Sequence, residues 1–267
     1  MKTVLITGAS RGIGMATAVA LGRAGFQVAA TMRDPSRSQE LARIVERERL
    51  PIRTWSMDVD QDDSVSKTIA SIREQSGPID VLVNNAGIES RGAIEELDIS
   101  RFRAVMETNY FGPLRCIKAV LPSMRERRTG CIINITSVAG KLASAPFAPY
   151  TASKFALEAL SEVLAQEVKS FNIRVAIVEP GIIDTAMARA ATVAPRSSYP
   201  HAQRMADMFG ASMERNSTPP ELVAQKIADI IQSDDWKLRH PVGPDAEPFL
   251  QLRASMSDEQ WVDWPNQ

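Results

Sequence analysis

Short runs of β-branched and aliphatic residues alternate with longer stretches of helical periodicity along nearly the whole chain. Residues 3–7 (TVLIT) read as a strand covered on both faces. The run breaks at Gly8-Ala9-Ser10-Arg11-Gly12-Ile13-Gly14, and apolar residues then recur at helical spacing through Ala16, Val19, Ala20 and Leu21. Gly25 supplies a helix stop, and residues 27–32 (QVAATM) form a second strand. The same alternation predicts further strands at 52–57, 79–83, 130–136, 173–178 and 240–243. Helices are predicted at 39–49, at 64–75, at 100–127 with an interruption near Gly112-Pro113, at 150–170, and from Pro219-Pro220-Glu221 to 231. The 150–170 helix carries a clear apolar stripe of Leu157, Leu160, Leu164 and Val168. Together these elements predict a single α/β domain over 1–267, with one open, doubly wound, mostly parallel sheet of seven strands and helices on both faces.

Two stretches depart from that rhythm. Between 182 and 218 the periodicity loosens, with prolines, Ser197-Ser198, and Met187, Met205, Met208 and Met213. Met-rich sequence of this kind suits an adaptable substrate lid, and a solvated excursion with a little core is the competing reading. The tail from 256 to 267, with Trp261 and Trp264, is expected either to pack on the body or to meet a partner subunit.

Composition mainly excludes. Lys and Arg number 31 against 32 Asp and Glu, for a net charge of −1, which provides no basic field for nucleic acid and no polybasic membrane anchor. Cys116 and Cys131 are too few for a disulfide framework or a multi-Cys zinc site, and His201 and His240 leave little for a metal centre or a Ser-His-Asp triad. No run is long enough to span a bilayer, and the N-terminal apolar run is too short for a secretory signal. A cytoplasmic protein without a metal is expected.

The chemistry collects at strand ends. Ligands of open parallel sheets bind outside the carboxyl ends of the strands. Gly8 to Gly14, Asp58, Asn84-Asn85-Ala86-Gly87, Ser137 and Pro180-Gly181 all fall there. The spacing G-x-x-x-G-x-G makes a tight turn that lets backbone N–H groups and a helix N-terminus approach a pyrophosphate. Asn109, a poor residue for a helix interior, implies a special hydrogen-bonding role or a local kink. If Pro149 opens a helix, Tyr150 and Lys154 stand one above the other on one face. A neighbouring ammonium stabilises a phenolate, so the Tyr150 pKa is expected to fall into the range useful for acid/base work. Taken alone, that spacing occurs by chance on many solvated helices.

In this order, the motifs make the chain similar to the short-chain dehydrogenase/reductase family over nearly its whole length. TGASRGIG (7–14) resembles the cofactor motif and NNAG (84–87) the sheet-supporting motif. Asn109, Ser137, Tyr150 and Lys154 resemble the catalytic tetrad, and Pro180-Gly181 with Thr185 resembles the segment beside the nicotinamide. The resemblance implies a Rossmann fold and hydride transfer between a nicotinamide and a carbonyl or alcohol carbon. Tyr150 would pass the proton, Lys154 would lower the Tyr150 pKa and bind the nicotinamide ribose, and Ser137 would hold the substrate oxygen. Asn109 would position a water that links Lys154 to solvent. Gly8, Ser10, Arg11, Gly12, Ile13, Gly14, Asn85, Ala86 and Gly87 would line the dinucleotide site. Asp58 and Val59 would contact adenine, and Ile183 and Thr185 the carboxamide.

In this family the carboxylate that selects NAD lies seven residues after the helix-ending glycine, a position occupied here by Met32. Arg33 follows it, and Arg11 lies in the glycine turn; both suit a 2′-phosphate, so NADP is expected over NAD. Asp34 dissents, and Pro35 is expected to turn it away. The run 141–157 and TMRDPS (31–36) are similar to hydroxysteroid- and retinol-type members, which implies a bulky apolar ketone or alcohol. Val138, Ala139, Phe147, Met187, Met205 and Phe209 are the candidate pocket, beside Ser137 and Tyr150. Reduction of small or polar carbonyls such as 3-oxoacyl thioesters, and a non-catalytic dinucleotide-binding role, are the alternatives. Glu89, directly after the NNAG-Ile run, is an odd neighbour for an apolar ligand. A homodimer or homotetramer joined through the helices carrying Asn109 and Tyr150 is implied.

Overall fold

Alternation within the strands divides the core in two. Val4, Ile6, Val81, Val83, Ile133 and Val178 pack into one buried cluster, while Leu5, Leu82, Ile132 and Val175 pack into another on the opposite face. Strands that are apolar on both sides must be covered on both sides, and the computed structural model, which describes residues 1–215 and 217–264, shows how. Position 216 of the expected lid and positions 265–267 of the expected tail lie outside the described residues.

The strands are β1 (Thr3–Thr7), β2 (Gln27–Met32), β3 (Ile52–Ser56), β4 (Ile79–Asn84), β5 (Gly130–Ile135), β6 (Ile173–Pro180) and β7 (Arg239–Val242). They form a seven-stranded sheet in the order β3-β2-β1-β4-β5-β6-β7, and every pairing is parallel. Helices α1 (Gly12–Arg23), α2 (Gln39–Glu48) and α9 (Pro220–Gln232) cover the first cluster. Helices α3 (Asp62–Ser76), α5 (Gly112–Arg127) and α6 (Ala148–Val168) cover the second. The chain winds outward from β1 to β3, then returns to lay β4 on the other side of β1. The chain leaves β1 and β4 toward helices on opposite faces of the sheet, and a crevice opens between their following loops.

The departures from expectation have local causes. The 100–127 helix is three pieces, α4 (Ile99–Met106), a π-helical segment Glu107–Phe111 and α5, so its interruption centres on Asn109 rather than on Gly112-Pro113. Strand β6 runs on to Pro180 because β7 pairs with it that far. The loosely periodic stretch forms α7 (Ala186–Ala191) and α8 (His201–Arg215). Beyond β7 lie α10 (Ala246–Ser255) and α11 (Asp258–Asp263), and the Trp261 indole N–H donates to the Ala143 carbonyl at 2.7 Å, so the tail packs on the body. Among the described residues, no helix is long and apolar enough to cross a membrane.

One polar chain runs through the buried middle of the sheet. The Asn84 amide donates to Asn134 Oδ1 at 2.8 Å, and the Asn134 amide donates to Ser161 Oγ at 2.8 Å, tying β4 and β5 to α6. All of these residues are buried, and water is not there to replace a lost partner. Asn134→Ala strands the buried Asn84 amide, while the Ser161 hydroxyl keeps its bond to the Leu157 carbonyl, and should cost about 1–3 kcal/mol of unfolding free energy, measured by urea denaturation.

Candidate active site

The glycine turn is built by close approach. Gly8 (φ +67°) and Gly12 (φ +56°) occupy the left-handed region, which disfavours other residues. A Cβ on Gly14 would lie 2.5 Å from both Asn85 Nδ2 and the Gly8 carbonyl, so this glycine shapes the turn from behind rather than facing a ligand. Two loops are stitched here. Thr7 Oγ1 accepts from the N–H groups of Asn85 (3.0 Å) and Ala86 (2.9 Å), and the Asn85 amide donates to the carbonyls of Thr7 (2.9 Å) and Gly8 (3.1 Å). No side chain caps the N-terminus of α1, which leaves its first-turn N–H groups directed at the cleft as an anion site. These open donors, set in a turn too tight for side chains, fit a dinucleotide pyrophosphate.

At the far end of the crevice, Met32 closes β2 and Arg33 follows on the surface. Arg11 and Arg33 both line the cleft, and among the described residues neither forms an ion pair. Asp34 is held away by Ser36, whose N–H and hydroxyl donate to it at 3.0 and 2.6 Å, and by Arg37 at 3.1 Å. Asp58 Oδ1 caps its own turn by accepting from the Asp60 N–H at 3.1 Å, while Val59 is buried on the cleft wall.

The residues assigned from sequence to the catalytic, cofactor and substrate sites all line this cleft of about 1020 Å³, except Gly14 and Asn109. Asn109 works one layer back. Its Oδ1 accepts from the Ile88 N–H (2.9 Å), and its amide donates to the Ile88 carbonyl (2.9 Å) and to Ser153 Oγ (3.0 Å). Ser153 Oγ in turn donates to the Tyr150 carbonyl at 2.6 Å. The π-helical turn, one residue wider than an α-turn, brings the buried side chain to these partners.

Pro149 sits in the first turn of α6, with Tyr150 and Lys154 on its inner face. The Ser137 hydroxyl lies within hydrogen-bonding reach of the Tyr150 phenol and accepts from the Ala139 N–H at 3.1 Å. Lys154 Nζ donates to the Ile135 carbonyl at 2.8 Å and stands 5.5 Å from the centroid of the Tyr150 ring. The expected lowering of the phenol by its lysine is not what this arrangement gives. Burial dominates and pushes Tyr150 up to about 12, with Ser137 pulling it down and the Glu89 charge pushing it further up. Burial likewise pushes Lys154 down to about 8, against the raising effect of Glu158.

Behind this pair lies a cluster that sequence reasoning did not single out. Glu158, one turn after Lys154 on α6, meets Arg239 at 3.0 Å, and Arg239 also pairs with Glu162 and lies 3.6 Å from Glu179. Glu179 is 1% exposed and neither of its carboxylate oxygens has a hydrogen-bond donor. Burial, helped by the Glu158 charge, raises it from 4.5 to about 7. Because the folded value lies above the unfolded one, the unfolded chain releases this proton first as pH rises, and stability falls between about 4.5 and about 7. Glu179→Gln removes that loss. Its melting temperature should rise relative to wild type as pH is raised from about 5 to about 8, and a difference independent of pH would refute the account.

The reaction end of the cleft is walled by Val138, Ala139, Leu142, Phe147, Met187, Met205 and Phe209, and closed by Phe249, Trp261 and Trp264. The two indoles stack at 5.1 Å, and Phe209 packs on Phe147 at 5.7 Å. The 182–218 segment is tied at its base, where the Asp184 N–H donates to the Thr218 carbonyl at 2.7 Å, and at its tip, where Ser197 and Tyr199 donate to Glu96 (2.7 Å) and Glu95 (2.8 Å). Thr185 caps α7 and faces the glycine turn. Asp245 is a further residue missed from sequence: it accepts from the Ile182 N–H at 2.7 Å and braces the Pro180-Gly181 segment. Its signal was local, a Gly-Pro-Asp turn after β7, but its partner is distant in the chain. Among the described residues, no group of His, Cys, Asp and Glu could hold a metal ion.

The chain is similar to known proteins in sequence and fold. The short chain dehydrogenase family model matches residues 2–195. Oxidoreductase BOA17 of Botryotinia fuckeliana is 35% identical over 268 residues, spanning 97% of this chain and 96% of its own. Retinol dehydrogenase 8 of Bos taurus is 42% identical over 188 residues, covering 69% of this chain and 60% of its own. A solved actinorhodin polyketide ketoreductase variant with NADPH superposes with a TM-score of 0.82 at 28% identity, over 92% of this chain and 97% of its own.

Proposed function

The chain belongs to the short-chain dehydrogenase/reductase family, a family of oxidoreductases, and from that premise we propose that it interconverts a bulky apolar ketone or aldehyde with its alcohol, using NADP(H). The observation that carries this reading is the meeting of the Tyr150 phenol and the Ser137 hydroxyl over an apolar cavity, at the end of a cleft that begins with an uncapped glycine turn.

The cofactor, when bound, supplies or accepts the hydride. Tyr150, held neutral by burial, is set to donate its proton to the carbonyl oxygen in reduction and to accept one in oxidation. Ser137 holds that oxygen, aligned by the Ala139 N–H. Lys154 keeps a positive charge below the phenol and binds the nicotinamide ribose, and Asn109 orders the segment behind both. The donors polarise the carbonyl without a metal. Tyr150→Phe should lower kcat by about 10²- to 10⁴-fold while changing the NADPH dissociation constant little. A panel of aldehydes and ketones run with NADPH and NADH measures the first effect, and NADPH fluorescence titration the second. Absence of turnover by the wild type across that panel would refute the enzyme reading in favour of a dinucleotide-binding regulator.

Arg11 and Arg33, free of ion pairs among the described residues, support recognition of a 2′-phosphate, and Asp34 is turned to Ser36 and Arg37. The NADPH in the ketoreductase structure supports the same choice. Arg33→Ala should weaken NADPH by about 10- to 100-fold and NADH little, read from the ratio of their KM values.

The apolar walls and the similarity to retinol dehydrogenase 8 support a bulky hydrophobic substrate, with 182–218 as its lid. Phe111, Phe155 and Val163, exposed at 42%, 42% and 51% on the helical layer carrying Asn109 and Tyr150, support a homo-oligomer assembled through it.

A further inference from the structure

Around Tyr150 the substrate end of the cleft is lined mainly by apolar side chains. Glu89 lines the same cleft, yet its side chain is only 17% exposed, and its charge lies close enough to act on the Tyr150 phenol. It is not mobile. The preceding residue, Ile88, is gripped at both its N–H and its carbonyl by the Asn109 carboxamide, and Asn109 is bonded through Ser153 to the Tyr150 carbonyl. The Glu89 backbone is thus held in register with the helical turn that bears the phenol. Arg91 pairs with Glu89 Oε1 at 3.0 Å and is equally shielded, while its Nη1 donates to the Val193 carbonyl at 3.2 Å, on the lid segment. Among the described residues, Arg91 is the one partner of this carboxylate, so acceptor capacity is left over on a side chain that lines the cleft. Burying a carboxylate in an apolar wall is unfavourable unless it is paired and hydrogen-bonded, and a substrate donor would complete the set.

We propose that Glu89 is a specificity-determining residue that accepts a hydrogen bond from a hydroxyl or ammonium group within two carbons of the reacting carbonyl. The preferred substrate is then an apolar ketone with one polar donor beside its carbonyl, rather than a plain hydrocarbon ketone. Arg91 neutralises Glu89 and carries its position to the lid, so that filling the site and seating the lid use the same side chain. This inference rests on the carbonyl-reductase reading of the site.

The test uses matched long-chain ketones: one plain, one with a hydroxyl on the adjacent or next carbon, and one with an ammonium group there. Each is reduced by wild type, Glu89→Gln and Glu89→Leu with NADPH and with NADH. Wild-type kcat/KM for the donor-bearing ketones should exceed that for the plain ketone by about 10- to 100-fold, since a site built around a polar contact rejects the analogue lacking it. Glu89→Leu should bring the ratio to about one, and Glu89→Gln, which retains an acceptor oxygen, should keep the preference for the hydroxy ketone and lose that for the ammonium ketone. The ratio does not depend on the fraction of folded enzyme. A wild type that reduces all three alike, or a Glu89→Leu variant that keeps the wild-type ratio, overturns the inference and leaves the carbonyl-reductase reading standing. A wild type that reduces none of them with either cofactor overturns both.

Discussion

Everything at the ligand-binding rim depends on how the loops after β1 and β4 are fastened together. The two paired strands send their loops toward opposite faces of the sheet, and the crevice would be loose if each loop satisfied its own backbone. Instead Thr7 accepts from two N–H groups of the opposite loop, and Asn85 returns two bonds to the first. Gly8 and Gly14 permit this, because a Cβ on either would strike the partner loop. Bonds buried and satisfied in this way set the geometry of the crevice before any ligand arrives.

A second constraint is electrostatic. Tyr150, Lys154, Glu158, Glu179 and Glu89 are ionisable groups that the fold withdraws from water, and burial is the leading cause of the shift at each one. Charges in such a setting are controlled by their few neighbours. Arg239 serves three carboxylates, and Arg91 serves Glu89 while reaching the lid. The phenol stays neutral because burial disfavours its anion more than the Ser137 hydrogen bond favours it. The short spacing between Tyr150 and Lys154 thus means something different in the folded protein than on a solvated helix.

Periodicity was enough for the sheet. Strand runs apolar at every position have one stable use, a parallel sheet covered on both faces, and the glycine turn and Asn-Asn-Ala-Gly announce themselves because local backbone geometry demands small residues there. The π-helical turn at Asn109 was half legible: an Asn inside a helix signals disturbance, but the kind of disturbance depends on Ile88 and Ser153. The lid helices were not legible, because α7 is six residues long and the side chains that α7 and α8 bury are alanines, Ala188, Ala191, Ala202 and Ala206, which mark no strong apolar stripe.

By itself, the sequence determined the strand order of chemistry along the chain, the phosphate turn, the Tyr150–Lys154 face and the residues that meet at one rim. These are local properties of turns, caps and spacing, or follow from the topology of a parallel sheet. Only the tertiary structure decided the direction of the Tyr150 shift, the buried Glu158–Glu179–Arg239 cluster, the brace from Asp245 to Ile182 and the placement of Glu89 against an apolar wall. Each of these rests on burial and on partners drawn from distant parts of the chain, and desolvation by such partners is a property of the packed molecule that no single stretch of sequence carries.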